Sequence, residues 1–314
     1  MTAVDNSDDL TARGDTAAAL AERLESALLG KADEVRHFLA AVLSGGHVLL
    51  LDGSGVGKTT LAKSLAACLD VPYARVQGTV DLLPSDLTGV NVFDQGTGRW
   101  DFHHGPLSRS VVLVDEVNRM SPRTQSALLE AMAEGQVTVD GTTRPIPDPF
   151  IALATANPFG QAGTYPMVNG LVDRFAISLS FGLPGREAER SLLLGEHTAP
   201  SALGQTLNGQ QLLSLRSRVA ALHVAPAIVE YGLDLVDRVR QHGWLSPRAS
   251  QALLATARGH AVMCGRGHVA PDDVRDIAPL VLGHRLAGSD GDVAASSEEV
   301  RRLVADVLPP RPGR

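Results

Sequence analysis

The sequence predicts a parallel α/β sheet domain covered by helices on both faces, followed by a second, all-helical domain. Three observations lead there. Short apolar runs at residues 47–51, 73–77, 110–115, 150–155 and 175–180 have the length of buried strands. Helical stretches lie between some of them, as crossovers between parallel strands require. Beyond about Pro184 the character changes, and residues 186–196, 210–222, 227–242, 247–264 and 271–286 all read as helices.

Taken in order, residues 1–14 read as a disordered lead. The α/β core is expected over 15–183, the helical domain over 184–307 and a mobile tail over 308–314. Leu20, Leu24 and Leu28 recur every four residues and mark an amphipathic helix stopped by Gly30. Val35, Phe38, Leu39, Val42 and Leu43 mark a second helix, ended by Gly45 and Gly46. The first strand, a glycine-rich loop and a helix over 59–69 follow. Residues 90–102 alternate around Asp94-Gln95-Gly96-Thr97-Gly98, and residues 136–146 around Asp140-Gly141, so both read as β-hairpins.

Composition narrows the function. Hydrophobic content of 44% and charged content of 20% over 314 residues describe an ordinary globular chain able to bury a large core. A formal charge of −7 argues against broad nucleic-acid binding, and each hairpin carries only one arginine, Arg99 or Arg144. The polar, acidic start has no apolar signal region, and no run approaches the ~20 apolar residues of a membrane span. Two distant cysteines, Cys68 and Cys264, fit a reducing compartment, so a cytoplasmic location is expected. His260, Cys264 and His268 repeat every four residues, but Gly265 and Gly267 interrupt any one helix that would align them as metal ligands.

The strongest chemical signal is Asp52-Gly53-Ser54-Gly55-Val56-Gly57-Lys58-Thr59-Thr60, set between an apolar strand and a helix. Small residues let the backbone approach phosphates, and the helix N-terminus offers N–H groups. Lys58 reaches the β- and γ-phosphates, and Thr59 binds Mg²⁺. Asp52 stands where this phosphate-loop pattern begins with glycine, and a carboxylate beside a polyphosphate would repel it. Downstream, an apolar strand ends in Asp115 and Glu116, delivering two carboxylates to the edge of the sheet where ligands bind. Asp115 would hold Mg²⁺ and Glu116 would polarise the attacking water. Asn157 closes another strand and can position water against the γ-phosphate. Arg174 precedes the last strand, and Arg248 opens a helix capped by Ser246 and Pro247.

These motifs resemble the MoxR-type AAA+ ATPases. The match is carried by residues 114–132 (VDEVNRMSPRTQSALLEAM), 134–141 (EGQVTVDG), 154–158 (ATANP), 163–166 (GTYP) and 171–175 (LVDRF). Residues 81–89 (DLLPSDLTG), 105–107 (GPL), 246–249 (SPRA) and 265–274 (GRGHVAPDDV) extend it, so that it covers about Leu20 to Leu286. The resemblance implies a five-stranded AAA+ core, a helical lid and a homo-oligomeric ring, usually hexameric, with ATP and Mg²⁺ between subunits. It makes Asn157 the sensor asparagine, Arg248 the lid's sensor arginine and Arg174 the arginine finger acting on a neighbour. Arg119 and Arg123 also follow the Asp115-Glu116 strand and are alternatives for that finger. The hairpins correspond to the helix-2 insert and the pre-sensor hairpin, which engage clients at the ring centre.

The family's role is chaperone-like remodelling that aids maturation of protein complexes or cofactor insertion, often with a separate protein carrying a von Willebrand factor A domain. An ATP-hydrolysing motor of that kind is the expected function. The alternatives are an ATP-binding assembly switch with slow turnover, to which Asp52 points, and the motor subunit of a metal-chelatase-like complex.

Overall fold

The computed structural model describes residues 6–53, 55–156, 164–289 and 291–310. Helices α1 (Asn6–Ala27) and α2 (Ala32–Leu43) lead into strand β1 (His47–Leu50), the glycine loop and α3 (Lys58–Leu69). Then come β2 (Tyr73–Gln77), α4 (Pro84–Thr88), the hairpin β3 (Gly89–Asp94) and β4 (Arg99–His104), β5 (Val111–Asp115) and α5 (Pro122–Glu134). A second hairpin, β6 (Gln136–Val139) and β7 (Thr142–Pro145), precedes β8 (Ile151–Thr155), α6 (Asn169–Val172) and β9 (Phe175–Leu179). The rest is helical: α7 (Arg186–Leu193), α8 (Gly209–Ala220), α9 (Pro226–Arg240), α10 (Pro247–Met263), α11 (Pro271–Ala287) and α12 (Val293–Ala305).

The five apolar runs form one parallel sheet in the order β2-β5-β8-β1-β9. Because strand side chains alternate, each run serves two cores. Val48, Leu50, Val111, Leu113, Ile151 and Leu153 enter one core. Leu49, Val112, Val114, Ala152 and Ala154 enter the other, under α5. The first core does not stop at the end of the α/β part. It runs from Leu20 and Phe38 through the sheet to Leu253, Ile277 and Val300. The change of class near Pro184 is therefore a change of architecture within continuous packing. At Gly259 of α10 any Cβ would overlap the Ala40 carbonyl of α2, so glycine there permits the close approach of the two helices.

Polar contacts fix the same junction. Arg285 of α11, 7% exposed, donates from Nε to Asp173 at 3.1 Å and from Nη2 to the Phe175 carbonyl at 2.7 Å. His284 Nε2 stands 3.1 Å from that same carbonyl.

Three expectations change. The lead expected over 1–14 is helical from Asn6, because the glycine at position 14 costs a helix only about 1 kcal/mol relative to alanine. Helix α7 ends at Leu193, short of the expected 196, with Gly195 turning the chain at φ +72°. Helix α12, capped by the Asp292 carboxylate, adds a sixth helix beyond the five expected and packs on α11. Among the described residues no helix is long and apolar enough to cross a membrane. Residues 311–314 of the expected tail lie outside the described residues.

His47 generates a pH prediction. Burial pushes its imidazole down to about 4, and its neutral Nδ1 accepts the Ala152 N–H at 3.1 Å. The unfolded imidazole binds a proton near 6.5 while the folded one resists until about 4, so stability falls as pH drops through that window. Chemical denaturation of the His47→Asn protein should show a shallower loss between those pH values, by at most about 3 kcal/mol. An unchanged slope would contradict this account.

Candidate nucleotide site

The glycine loop leaves β1 at the carboxyl edge of the sheet and turns directly into α3. Gly55 and Gly57 take φ of +88° and +98°, a left-handed conformation that side chains resist. A Cβ at Gly53 or Gly55 would meet nothing within 4 Å, so the glycines face open space instead of packing. That space is a cavity of about 510 Å³ lined by Gly53, Gly55, Gly57, Lys58, Thr59, Thr60, Arg75, Asp115, Glu116 and Thr155, among others. Val56 turns away and packs against the core. Ser54 lies outside the described residues. Lys58 Nζ donates to the Asp52 carbonyl at 2.7 Å. Desolvation lowers its pKa, against the pull of Asp52, Asp115 and Glu116.

Asp52 borders this cavity and is also held from the other side. Its carboxylate is 8% exposed and accepts from Ser180 Oγ at 2.6 Å, Phe181 N at 2.7 Å and Gly182 N at 3.0 Å. It ties the start of the loop to the chain leaving β9. Those donors give the carboxylate an anchoring role, while its charge still borders the loop cavity and acts on Lys58.

The acid pair is built by three strand ends. Register places Gln77 of β2 opposite Asp115 of β5, and β8 closes the other side. Thr155, at the end of β8, accepts the Glu116 N–H at 2.9 Å and lies 3.4 Å from Asp115 Oδ1. Glu116 itself adopts φ +55°, uncommon for a non-glycine residue and frequent at working sites. Gly78 permits this, since a Cβ there would clash with the Glu116 carbonyl. Each carboxylate carries a guanidinium: Arg75 Nε to Asp115 Oδ2 at 2.6 Å, and Arg119 Nη1 to Glu116 Oε2 at 2.8 Å. Arg119, an alternative finger, therefore serves its own chain's Glu116 here. Arg123 is exposed at the start of α5.

Arg174 and Arg248 stand elsewhere. Arg174 precedes β9, and β9 runs parallel to β1 with Phe175 paired to His47 and Leu179 to Leu50. Four to five residues of strand, about 15 Å, thus separate Arg174 from the loop along the sheet. Neither arginine lines the loop cavity. They face each other instead, and desolvation followed by the nearby Arg248 charge lowers the Arg174 pKa. Their shared acid, Asp173, is 3.9 Å from Arg248 Nη1 but already accepts Ser246 Oγ at 2.8 Å and Arg285 Nε at 3.1 Å. Arg174 Nε is buried without a hydrogen-bond partner among the described residues. Asn157 lies outside the described residues.

The arrangement fits a nucleotide with a divalent cation. The glycine cradle, the α3 N-terminus and Lys58 suit phosphates, while Thr59 and Asp115 border the same cavity as hard oxygen donors. Reading the sequence missed Arg75 and Thr155. The signal for Arg75 was available, a basic residue two places before the end of an apolar edge strand, but nothing in the sequence placed that strand beside Asp115.

Comparison with known proteins agrees with this geometry. Residues 47–177 match the family model "ATPase family associated with various cellular activities (AAA)", and residues 236–306 match "AAA lid domain". An uncharacterized Bacillus subtilis protein, YeaC, is 41% identical over 271 residues, covering 84% of this chain and 85% of the relative. Chaperone MoxR1 of Mycobacterium tuberculosis is 36% identical over 272 residues, covering 82% of this chain and 72% of the relative. The solved structure of a proposed ATPase from Cytophaga hutchinsonii superposes with a TM-score of 0.83 at 27% identity, over 96% of both chains.

If Asp52 is an anchor, Asp52→Ala should lower the unfolding free energy by about 2–4 kcal/mol, the loss of charged hydrogen bonds that leaves buried donors unpaired. It should also weaken nucleotide binding, measured by calorimetry with ATP. Tighter binding on removing the carboxylate would restore the repulsion reading.

Proposed function

Because this chain belongs to the MoxR-type AAA+ ATPases, we propose that it works as a ring of identical subunits. Each ATP would be held by one copy and completed by Arg174 and Arg248 of the next. The observation that carries this reading is the separation of the two halves. The phosphate loop opens at the carboxyl edge of the sheet, and the arginine pair sits at the opposite edge, beyond the reach of its own loop. Two arginines share one occupied carboxylate, and Arg174 keeps an unpartnered buried nitrogen. A triphosphate from a neighbouring copy would supply the anion that offsets the two adjacent guanidinium charges. Trp244, 86% exposed near the start of α10, is the kind of residue that copy-to-copy contacts bury.

Within the site, the loop from Gly53 to Thr60 cradles the phosphates and Lys58 exchanges loop carbonyls for phosphate oxygens. Mg²⁺ held by Thr59 and Asp115 would neutralise charge on the transferring phosphoryl group. Glu116, released from Arg119, accepts the proton of the attacking water. Asn157 orients that water, and Thr155 at the end of β8 keeps Asp115 and Glu116 in place. The neighbour's arginines offset the charge that grows on the β–γ bridging oxygen as it leaves. The anchoring of Asp52 at the end of β9 supports the motor reading, and the Asp52→Ala titration with ATP separates it from a slow assembly switch.

The work of hydrolysis is directed, in this reading, at a client protein complex, with a separate von Willebrand factor A protein as partner. The hairpins support it. They lock to each other through Asn91 Nδ2 to Asp140 at 2.7 Å and Arg144 over the Phe102 ring at 3.8 Å. This leaves Phe93 and Trp100 exposed, ring beside ring, on one face of the first hairpin and Val90 and Val92 exposed on the other, apolar surface suited to protein, not nucleic acid.

Glu116→Gln should retain ATP binding and lose turnover. Arg174→Ala should cut turnover by about 10³-fold. Mixing inactive Lys58→Ala subunits with inactive Arg174→Ala subunits should restore part of the activity, because an intact loop then meets an intact arginine pair. Failure of the mixture to exceed either variant, once mass measurement confirms mixed rings, overturns the shared site. Arg75→Ala should shift the Mg²⁺ dependence of turnover to lower concentration by roughly threefold, by freeing Asp115 from a competing cation. An unchanged Mg²⁺ midpoint would show that Arg75 does not compete there.

A further inference from the structure

A second cavity, about 630 Å³, lies between α2 of the α/β part and helices α10, α11 and α12. It holds side chains that the nucleotide chemistry leaves unused. His260, Cys264 and Asp273 bring their donor atoms within 4.8 Å of one another, and His37 stacks on His260 with ring centroids 5.6 Å apart. The sequence spacing lined up His268 as a third member, a metal reading that Gly265 and Gly267 argued against. Gly265, at φ +70°, instead turns the chain so that α11 delivers Asp273, while His268 bridges to His223.

We propose that this cluster is a binding site for a thiophilic divalent transition metal such as Zn²⁺, with Cys264, His260 and His37 as ligands and Asp273 as the orienting carboxylate. Asp273 is unsuited to direct ligation. It is fully buried, and its oxygens accept His260 Nδ1 at 2.9 Å, Arg266 Nε at 3.1 Å, Arg266 Nη2 and Ala270 N at 2.8 Å. What it does is fix the imidazole: with Nδ1 engaged, Nε2 is the nitrogen left for an ion, the arrangement seen behind ligating histidines.

Distances agree with a shared ion. Cys264 Sγ is 3.9 Å from His260 Nε2 and 4.0 Å from Nδ1, beside the ring and within a side-chain rotation of the free nitrogen. A tetrahedral zinc with ordinary bond lengths sets sulfur and nitrogen about 3.6 Å apart, and two imidazole centroids about 5 Å apart. Binding then requires exposed Cys264 to turn its sulfur to Nε2 and part-buried His37 to leave its stacked position and present a ring nitrogen. Binding breaks the Cys264 S–H bond, releases the proton to solvent and forms a sulfur–metal bond with no change in oxidation state.

The surrounding arginines do not forbid a cation. Arg36 is paired with Asp33 at 3.0 Å, Arg275 with Asp272 at 2.7 Å, Arg266 with Asp273, and Arg301 with Glu298. Because His37 belongs to α2 and the other ligands to α10, a bound ion would clip the helical domain to the α/β part.

The test uses the full chain with Mg²⁺ in excess, so that the acids of the nucleotide site are occupied. Titration with Co²⁺ should load one ion per chain and produce a near-ultraviolet thiolate-to-cobalt band, which Zn²⁺ then bleaches. Cys264→Ser should abolish the band and weaken Zn²⁺ at least about tenfold, measured against a chromophoric chelator; His37→Ala should weaken it by a similar factor. Zn²⁺ should raise the melting temperature of the wild type and not that of Cys264→Ser. Cys264 is exposed at the end of α10, so the serine variant keeps its fold, which its circular dichroism checks. Absence of the band, its persistence in Cys264→Ser, or Zn²⁺ affinity unchanged in that variant overturns the proposal.

Discussion

A guanidinium with almost no access to water sets much of this molecule's geometry. Arg285 can be buried only because Asp173 and the carbonyls of Phe175, Ala176 and Val281 take its donors. Removing one partner from such an arrangement costs about 3–5 kcal/mol. Helix α11 therefore cannot slide along β9 without leaving charge unpaired in a dry site. The same carboxylate then organises what stands at the surface. Its second oxygen takes Ser246 Oγ at the start of α10, which fixes the turn on which Arg248 is displayed next to Arg174. The position of the arginine pair thus follows from the docking of the helical domain on the sheet.

Sheet polarity does the rest. In a parallel sheet all carboxyl ends lie on one edge, so the loop after β1, the acids after β5 and Thr155 at the end of β8 converge without any long connection. The residues preceding the strands are equally grouped on the opposite edge, which is where Arg174 must be. Asp52 and Gly78 are local corrections to this plan: one pins the loop to the end of β9, and the other admits the left-handed turn at Glu116.

Much of this could be read from residues alone, and the part that could not has a common cause. Strands β1, β5, β8 and β9 are buried on both faces, so they appear as unbroken apolar runs such as Val111 to Val114. The hairpins are legible because Asp140-Gly141 and Gly98 supply the left-handed residues that tight turns need. The loop, Asp115 and Glu116 are contiguous motifs and were equally legible. Arg75, Thr155 and the anchoring of Asp52 were not, because each depends on which strands are neighbours. Strand order β2-β5-β8-β1-β9 is set by tertiary packing and leaves no local trace. The His260 and Cys264 spacing was visible, but its partners came from His37 and Asp273, distant in sequence and joined only by the packing of α2 and α11 on α10.

Arg174 gives the strongest physical link between assembly and nucleotide. A buried nitrogen without an acceptor costs a folded chain about 1–3 kcal/mol, and desolvation beside Arg248 adds to the strain on the charge. The repulsion between the two guanidiniums, held on a rigid sheet edge, is relieved when an anion arrives, and in the proposed ring that anion is the terminal phosphate held by the next copy's loop. Nucleotide binding and subunit association then share a free-energy term, so each strengthens the other by the same factor. Hydrolysis removes the acceptor and with it that term. The interface between copies would loosen at the site that has just turned over, which couples the chemistry of one subunit to the geometry of its neighbour.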